Sequence, residues 1–496
     1  MDAQTDFDVV IIGAGISGIN AAYRVQTQLP AGTSYTILEA RDSIGGTWDL
    51  FKYPGIRSDS DLYTFGFPWR PWMDERCIAE GPAIVNYMKE AAASEGIDSH
   101  IQFRHKLQTA SWSSELQKWR LDVATSGSDA AATPKTFYAT FLIMGTGYYD
   151  YDEPLGATIP GLDSFAGQVV HPQFWPSSLD TTGQRIVIIG SGATAITLLP
   201  NLAQRAAHVT MLQRSPSYIV SQPLVDGLDN TLRALLPAAA AFRLIRWRYL
   251  LTGYLFYFFC RACPALARRL LRSETEAQLR DSGVAYDPHF NPSYDPWDQR
   301  VCACPDADFF AALRGGKASV VTDTIARVTP SGITLASGGA ELPCDVIVTA
   351  TGLKMRVGGG ARMVVDGREV RFGEKLLWRG ALMQDVPNAA FMIGYTNASW
   401  TLGADAAAQL VTRVMRRMRD EGATSCVPRV GGQGEEVPRP EPFMKLNSGY
   451  VNRALERLPK AGDKGPWKAR WSYFSDMWNA KVGDVTRGLE FRRVSS

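Results

Sequence analysis

The chain has 496 residues, of which 45% are hydrophobic and 21% are charged, and its formal net charge is +2. This length predicts two or three domains, and the composition excludes a disordered or fibrous protein. The nearly balanced charge argues against nucleic acid as a partner. Seven thinly spread cysteines argue against a disulfide framework. The segment 1–8 is polar and no apolar run reaches the ~20 residues of a membrane span, so the expected compartment is the cytosol.

The first predicted unit is a strand, a glycine-rich turn and a helix. The segment 7–18, FDVVIIGAGISG, is a β-branched run that ends in Gly13, Gly15 and Gly18, and 19–28 has a helical pattern. Glycines at this spacing allow a tight turn, close approach to a pyrophosphate and close helix packing, and the helix N-terminus favours phosphate. A second strand ends in Glu39, where a carboxylate binds ribose hydroxyls. The unit predicts a dinucleotide site, which we assign to FAD.

The same pattern recurs in the middle of the chain, in the segment 185–195, RIVIIGSGATA. Its three small-residue positions are Gly190, Gly192 and Ala195. The next strand, 209–212, is followed by Gln213 and Arg214 instead of an acidic residue. A carboxylate there would repel a 2′-phosphate, whereas a guanidinium binds it through two hydrogen bonds. We therefore predict NADPH rather than NADH, with a solvated surface arginine as the alternative.

The order of the remaining strands predicts nested domains. Strands at 140–144 and 345–348 both run into small residues, and a strand at 389–393 precedes Gly394-Tyr395, with a helix from about Ala404. The fold class is α/β, with two Rossmann-like dinucleotide-binding domains and a helical insertion. The predicted ranges are 1–150 and 373–496 for the FAD domain, 151–222 and 316–372 for the NADP domain, and 223–315 for the insertion.

An apolar, aromatic stretch inside the insertion, 249–260, is flanked by seven arginines between 243 and 272. A buried helix with basic flanks is one interpretation. The other is a helix on a membrane surface, with aromatic residues inserted and arginines facing anionic lipid. The predicted location is therefore cytoplasmic, with peripheral membrane contact left open, and the oligomeric state is not predicted.

Two dinucleotide folds suit disulfide reductases as well as monooxygenases. A reductase needs a reactive cysteine pair beside the flavin, but the only C-x-x-C, Cys260 to Cys263, lies in the apolar helix. The segment 165–176, FAGQVVHPQFWP, instead matches the F-x-G-x-x-x-H-x-x-x-W-P fingerprint at every fixed position. The matching residues are Phe165, Gly167, His171, Trp175 and Pro176. On this pattern the chain resembles the type I Baeyer–Villiger monooxygenases, which are flavoproteins.

The resemblance extends along nearly the whole chain. The loop with Gly46, Thr47 and Trp48 looks like the FAD-proximal loop of that family. Trp48, Tyr53, Tyr395 and Trp400 are candidates for the lining of the flavin pocket, with plain packing of buried aromatic rings as the alternative. Four segments resemble the ethionamide-activating branch more narrowly: TWDLFKYPGIRSDSDLYTFGF, MLQRSPSYI, DPWDQR and GYTNASWTL. Within the family, His171 is expected to organise the linker between domains and not to act as an acid or base.

The resemblance implies an oxidoreductase that uses FAD, NADPH and O2. NADPH reduces the flavin, a C4a-peroxyflavin forms, and it converts a ketone to an ester or lactone, with sulfides as further substrates. A fixed cation must stabilise the negative oxygen, and the matching residue is Arg300, with Asp59 to orient it. Gln299 replaces the family's lysine, so any role of that lysine is in doubt here. Without the family, Arg300 would be expected to pair with Asp295 or Asp298.

Other functions stay open at this level. A monooxygenase acting mainly on sulfur or nitrogen nucleophiles needs a protonated hydroperoxide and would share most of these motifs. An NADPH oxidase that releases peroxide is more distant. A non-enzymatic flavin redox sensor, docked to a membrane by the aromatic helix, is the most distant alternative. No metal site is predicted.

Overall fold

The computed structural model describes residues 5–126, 133–431, 436–444 and 446–493. The first part of the chain builds one large sheet with helices against it. Its elements are β1 (Asp6–Ile12), α1 (Ile16–Gln28), β2 (Tyr35–Leu38), α2 (Thr47–Leu50), α3 (Leu62–Phe65), α4 (Gly81–Ser94), β3 (Ile101–Gln102), β4 (His105–Ser113), β5 (Lys118–Thr125) and β6 (Thr133–Met144). Strand β1 is parallel to both β2 and β6, while β4, β5 and β6 form an antiparallel meander.

The second part of the chain builds a separate, all-parallel sheet. The elements of this part of the chain begin with β7 (Gln168–Val170), β8 (Arg185–Ile189), α5 (Ala193–Ala203), β9 (His208–Gln213) and β10 (Ile219–Gln222). After a helical segment come β11 (Cys302–Pro305), α9 (Asp308–Arg314), β12 (Ala318–Thr322), β13 (Ile325–Thr329), β14 (Gly332–Leu335), β15 (Glu341–Pro343) and β16 (Val346–Thr349). The parallel sheet has the strand order β12, β9, β8, β16, β7, whereas β10 pairs with β11, and β13, β14 and β15 form a small antiparallel sheet. Because β8 lies between β9 and β16, the glycine turn after β8 is at the point where strand order reverses, the usual ligand position in such sheets.

Three helices form the insertion: α6 (Gly227–Leu235), α7 (Ala238–Ala262) and α8 (Pro264–Gln278). They occupy only the first part of the range predicted for it. Strand β11 pairs in parallel with β10, and α9 packs into the core of the second sheet through buried Phe309 and Phe310. In the described chain no single helix is long and apolar enough to cross a membrane, and α7 and α8 meet that test only as a pair bent by 116°.

The chain then returns to the large sheet, earlier than the boundary predicted after Phe372. The elements of this last part are β17 (Arg362–Val365), β18 (Arg368–Glu369), β19 (Leu377–Trp378), β20 (Leu382–Met383), β21 (Ala389–Phe391), α10 (Trp400–Asp420), β22 (Ser425–Pro428), β23 (Pro440–Pro442), α11 (Gly449–Asn452), β24 (Lys460–Gly462), α12 (Tyr473–Lys481) and β25 (Leu489–Arg492). Strands β17 to β21 belong to the large sheet, while β22 pairs with β25 and β23 with β24. Strand β17 is already parallel to β4. Since so short a strand is placed by its pairing partner, no local pattern marks this return.

Packing of the last part completes the first unit. Strand β21 adds to β6, and α10 packs against α1 and α12. Helix α10 begins at Trp400, four residues before the predicted start near Ala404. Short 3-10 turns lie at Ile97–His100, Leu162–Ser164, Pro172–Phe174, Val357–Gly360, Phe372–Glu374 and Gly465–Trp467. The result is an α/β fold with two nucleotide-type sheets and a helical insertion, so the predicted fold class is confirmed.

Candidate active site

A cavity of about 880 Å³ lies between the two sheets. The large sheet contributes Gly13 and Glu39, and the second sheet contributes Gly190. Arg300, from the segment before β11, and Tyr450, from α11, also line it. Parts of the chain that are hundreds of residues apart therefore meet at the carboxyl ends of both sheets, where open α/β folds bind ligands.

The first glycine turn leaves no room for larger side chains. Gly13 has φ +100°, and a Cβ there would lie 2.9 Å from the carbonyl oxygen of Gly145. A Cβ on Gly18 would lie 1.8 Å from the carbonyl oxygen of Gly13, so any side chain would separate α1 from β1. Gly15 lies at the cavity wall as the N-cap of α1. The turn thus presents bare backbone and a helix N-terminus to the cavity, the arrangement that binds a pyrophosphate.

Glu39 lies at the end of β2, where a ribose contact is predicted. One carboxylate oxygen accepts a hydrogen bond from the backbone N–H of Ala14 at 2.6 Å, and the other accepts from that of Arg41 at 2.8 Å. Burial raises the pKa of Glu39 above its ordinary value, while these two N–H groups oppose the shift. The carboxylate is therefore held at the cavity wall in one orientation, beside the glycine turn.

The loop with Gly46, Thr47 and Trp48 and the more distant Tyr395 all line the same cavity. The Thr47 hydroxyl shares a 2.9 Å hydrogen bond with Tyr151, and the Trp48 ring packs edge-on against Phe65. The hydroxyl of Tyr395 is committed elsewhere, because it donates to the Asp476 carboxylate of α12 at 2.5 Å. Tyr395 can therefore offer only its ring to a ligand.

The second glycine turn repeats the geometry of the first. Gly190 has φ +135°, and a Cβ there would lie 2.3 Å from the carbonyl oxygen of Ala350. Around Gly192 a Cβ would meet no atom within 4 Å, so the space beside its backbone is open. Ala195 is fully buried in the core between α5 and the sheet. Gly190 therefore permits the tight turn, Gly192 leaves the backbone open to a ligand, and Ala195 allows α5 to pack closely against the sheet.

The two residues predicted to select NADPH have different positions. Arg214 is exposed, lines the cavity and makes no hydrogen bond or ion pair with the described parts of the chain. Gln213 is 2% exposed, and its amide donates to the carbonyl oxygen of His289 at 2.7 Å and to the Thr322 hydroxyl at 2.9 Å. Gln213 therefore holds β9 to its neighbours and does not line the cavity, because its strand position turns the side chain inward.

Arg300 and Asp59, which are 241 residues apart, form an ion pair at the cavity. The Nη2 atom of Arg300 donates to Asp59 Oδ1 at 2.9 Å and to the Ser60 hydroxyl at 3.2 Å. The Asp59 carboxylate raises the pKa of the Arg300 guanidinium above its ordinary value, although burial opposes this. Arg300 is therefore a permanent cation, fixed in place by two residues of the first domain's loop.

The acidic residues next to Arg300 in sequence do not pair with it. Asp295 binds Arg268 at 2.8 Å and Asp298 binds Arg261 at 2.6 Å, so both carboxylates are used by the helices of the insertion. These ion pairs tie the loop before Arg300 to α7 and α8. The alternative of a purely local role for Arg300 is thus contradicted by the contacts.

Three tyrosines near Arg300 were not identified from the sequence. Tyr148 and Tyr149 follow the end of β6, and their hydroxyls lie 3.0 Å apart, while Tyr450 comes from α11. Burial raises the pKa of all three above the ordinary value, so they stay neutral. The position of Tyr148 and Tyr149 just beyond a strand end was a usable signal, whereas nothing in the local sequence around Tyr450 indicated the site.

The fingerprint segment joins the two sheets. His171 follows β7 and lines the cavity, and its Nδ1 accepts a hydrogen bond from the backbone N–H of Gln173 at 3.2 Å. The side-chain amide of Gln173 donates to the carbonyl oxygen of Asp150 at 2.6 Å, in the linker that leaves the first domain. Burial lowers the pKa of His171, which keeps the imidazole neutral near pH 7.

The other fingerprint residues are structural. A Cβ on Gly167 would lie 2.2 Å from the carbonyl oxygen of Asp345, so only glycine fits beside β16. Phe165 and Trp175 pack against two hydrophobic clusters of the second sheet. Pro176 is exposed at the end of the segment.

The cavity wall fits two dinucleotides and does not fit a dithiol centre. Two glycine turns with helix N-termini lie at its ends, and the Thr351 hydroxyl is buried at its wall without a hydrogen-bond partner among the described residues. All seven cysteines are free, and Cys302 is the one that lines the cavity in the described chain. Burial raises the pKa of the Cys302 thiol to about 12, so it lacks the thiolate that a redox pair needs.

These features define a flavoprotein that also holds a nicotinamide dinucleotide, and comparison with known proteins bears this out. Residues 71–234 match the model for flavin-binding monooxygenase-like proteins, and residues 11–74 match that for an NAD(P)-binding Rossmann-like domain. The chain is 46% identical over 489 residues to the FAD-containing monooxygenase EthA of Mycobacterium tuberculosis, covering 98% of both proteins.

Solved structures agree on the fold. A steroid monooxygenase bound to NADP superposes with a TM-score of 0.75 at 21% identity, over 99% of this chain and 100% of that one. The polycyclic ketone monooxygenase of the fungus Thermothelomyces thermophila also gives 0.75, at 18% identity, over 99% of this chain and 90% of that one.

The chain belongs to the family of FAD-containing monooxygenases that includes EthA. The resemblance inferred from the 165–176 fingerprint, to type I Baeyer–Villiger monooxygenases near their ethionamide-activating branch, is confirmed. So are the two predicted cofactors, FAD and a nicotinamide dinucleotide phosphate. The protein is therefore a flavin-dependent monooxygenase.

Proposed function

We propose that this monooxygenase consumes NADPH and O2 to convert ketones to esters or lactones, and that it also oxidises sulfides. The observation that carries the proposal is the Arg300–Asp59 ion pair at the cavity between the two glycine turns. When bound, FAD supplies the redox chemistry, accepting a hydride from the nicotinamide and activating oxygen. The part of the protein is to hold both cofactors and to stabilise negative charge on oxygen.

Arg300 is the proposed oxyanion stabiliser. Insertion of oxygen beside a carbonyl passes through negatively charged oxygen species, which a fixed cation favours over their protonated forms. An arginine keeps its charge throughout, and its planar group has donors left after one nitrogen has bound Asp59 and Ser60. Asp59 is a positioning residue, because it holds the guanidinium and does not itself need to contact substrate.

The aromatic side chains that line the cavity near Arg300 have two proposed roles. Tyr148, Tyr149 and Tyr450 are neutral hydroxyl donors near the guanidinium, so they can orient a carbonyl oxygen without adding charge. Their rings, with that of Trp400, also limit water at the reacting atoms. Exclusion of water strengthens the electrostatic effect of Arg300.

NADPH is the proposed reductant because of Arg214. Its exposed guanidinium lies at the end of β9, at the cavity, with no partner among the described residues. A 2′-phosphate there would gain charge-assisted hydrogen bonds, whereas NADH would leave the cation unused. Glu39 in the matching position of the first sheet is acidic, which suits the unphosphorylated ribose of FAD.

The test is turnover by the purified yellow protein. NADPH consumption is followed with and without a panel of small ketones and sulfides, and products are identified by mass spectrometry. Esters or lactones that carry one oxygen atom from ¹⁸O2 are the expected products. If only the sulfides are oxygenated, the ketone reaction is refuted and the protein is a sulfur-directed monooxygenase. Release of peroxide without any oxygenated product would contradict the whole proposal.

A further inference from the structure

The apolar stretch of the insertion forms a helix whose outer side is hydrophobic. On α7, Leu244, Trp247, Leu251, Leu255 and Phe258 recur at helical spacing and are 43–67% exposed. The opposite side of α7 is buried at Phe242 and Cys260. Between the two sides, Leu250 and Tyr254 pack with Tyr395 and Leu402 of the flavin domain. Helix α7 is thus apolar on both sides but covered on only one.

A second exposed stripe lies beside the first. Trp471, Phe474, Trp478 and Val482, in and next to α12, are 39–69% exposed. The Phe474 ring stacks with Trp247 at 6.1 Å between centroids, and Trp471 contacts Phe258 at 6.2 Å. The two stripes therefore form one continuous surface, which we term the outer apolar face.

The rim of the outer apolar face is basic. Helix α7 contains four arginines and no acidic residue. Three of these arginines bind backbone or carboxylate groups of the protein, but Arg243 is exposed and makes no hydrogen bond or ion pair with the described residues. The same is true of Lys481, which directly precedes Val482 at the end of α12. The cations thus remain available to an external anion.

We propose that the outer apolar face binds the surface of an anionic lipid membrane. Tryptophan, phenylalanine and leucine on one side of a helix with basic residues at its edge are the features of helices that lie in the lipid interface. A second copy of the chain is disfavoured, because a two-fold contact through this face would bring the two basic rims together. The overall charge of +2 is too small to bind lipid without this local surface.

The surface is a permanent part of the fold. The hydroxyl of Tyr254 accepts a hydrogen bond from the backbone N–H of Tyr473 at 2.7 Å, which holds α7 against the start of α12. The ion pairs of Arg261 and Arg268 with Asp298 and Asp295 hold the other end of the insertion. Because the two stripes are fixed relative to each other, membrane binding requires no rearrangement of the chain.

Vesicle sedimentation with the full-length holoprotein tests the proposal. Sucrose-loaded vesicles of phosphatidylcholine with about 30% phosphatidylglycerol are compared with phosphatidylcholine alone. We expect the protein to sediment with the anionic vesicles, and binding to weaken as salt is added. Leu255→Glu and Trp478→Glu, one on each stripe, should each reduce binding roughly tenfold or more, because each inserts a charge where apolar contact is needed.

The matched control is Leu116→Glu, on the hairpin between β4 and β5. Leu116 is 65% exposed and Leu255 is 67% exposed, so both substitutions add the same charge at equally exposed leucines. Flavin content and circular dichroism show whether each variant is folded. Equal binding by the Leu116→Glu and Leu255→Glu variants, or no binding of the wild type to anionic vesicles, would overturn the proposal.

Sedimentation velocity tests the alternative that a second copy of the chain covers the outer apolar face. A wild-type dimer that becomes a monomer in Leu255→Glu, without vesicle binding, would assign the outer apolar face to contact between copies of the chain. That outcome also overturns the lipid proposal. Neither measurement involves turnover, so its result is independent of the proposed ketone oxidation.

Discussion

Replacing Arg300 with alanine removes the cation that forms an ion pair with Asp59 at the cavity. We expect this variant to bind FAD, since no part of the first glycine turn is altered, and to be reduced by NADPH at nearly the wild-type rate. Formation of the oxygenated product should fall strongly, because the negative oxygen loses its counter-charge. Peroxide release should rise in proportion as reduced flavin reacts without productive transfer.

The size of the effect follows from the position of the guanidinium. The side chains of Arg300 and Asp59 are 36% and 27% exposed, so an effective dielectric constant of about 20 applies. A unit charge about 4 Å from the reacting oxygen then contributes about 4 kcal/mol, which Asp59 partly offsets. With about 1.4 kcal/mol for each factor of ten in rate, product formation should fall by roughly 10²–10³. Arg300→Lys keeps the charge but loses the planar donors, so its rate of product formation should lie between those of the wild type and Arg300→Ala.

Rapid mixing separates the two half-reactions. Flavin reduction is followed anaerobically by the loss of yellow absorbance, and product formation is measured by mass spectrometry after oxygen is admitted. Arg185→Ala is the control, because it removes a 51% exposed arginine whose partner, Asp345, lies at the opposite end of β8 from the cavity. Ester formation at the wild-type rate in Arg300→Ala would refute the reasoning. Equal loss of flavin reduction would place Arg300 in nicotinamide binding instead.

Three further perturbations test the cofactor sites and the linker. Gly18→Ala should lose bound flavin, because its Cβ would lie 1.8 Å from the Gly13 carbonyl oxygen. The ratio of flavin to protein absorbance measures this loss. The control variant Gly227→Ala, whose Cβ would meet no atom within 4 Å, should retain the flavin. Arg214→Glu should raise the KM for NADPH roughly tenfold or more with little change for NADH, as initial rates would show, and an equal rise for both would contradict the assignment. The free energy of unfolding should fall as the pH drops below 6.5, because the unfolded chain takes up a proton that burial denies to native His171. In urea titrations, His171→Asn should reduce the dependence of the free energy of unfolding on pH below 6.5. An unchanged dependence would exclude His171 as the cause of the loss of stability.

Local sequence was sufficient for the parts of the site that are made by local backbone. Gly13 and Gly190 are required by turns that a few neighbouring residues form, so their spacing alone indicated the two nucleotide sites. The spacing of the fingerprint segment was also sufficient to indicate the family, although the residue that leaves no room for a side chain at Gly167 is the distant Asp345 beside β16. Gln213 shows the limit of this reasoning, because its position at the end of β9 suggested a ligand contact, whereas its side chain turns inward and donates a hydrogen bond to the carbonyl oxygen of His289.

The sequence by itself determined the α/β class, the two cofactors and the family, because glycine turns and strand ends carry those signals within a dozen residues. The family resemblance already implied that Asp59 orients Arg300. Tertiary structure alone decided that Tyr450 reaches the same cavity and that the chain returns to the large sheet at β17. It also decided which side of α7 faces outward. The physical reason is that these contacts join segments far apart along the chain, and their geometry is set by the packing of whole sheets and helices and not by any local preference.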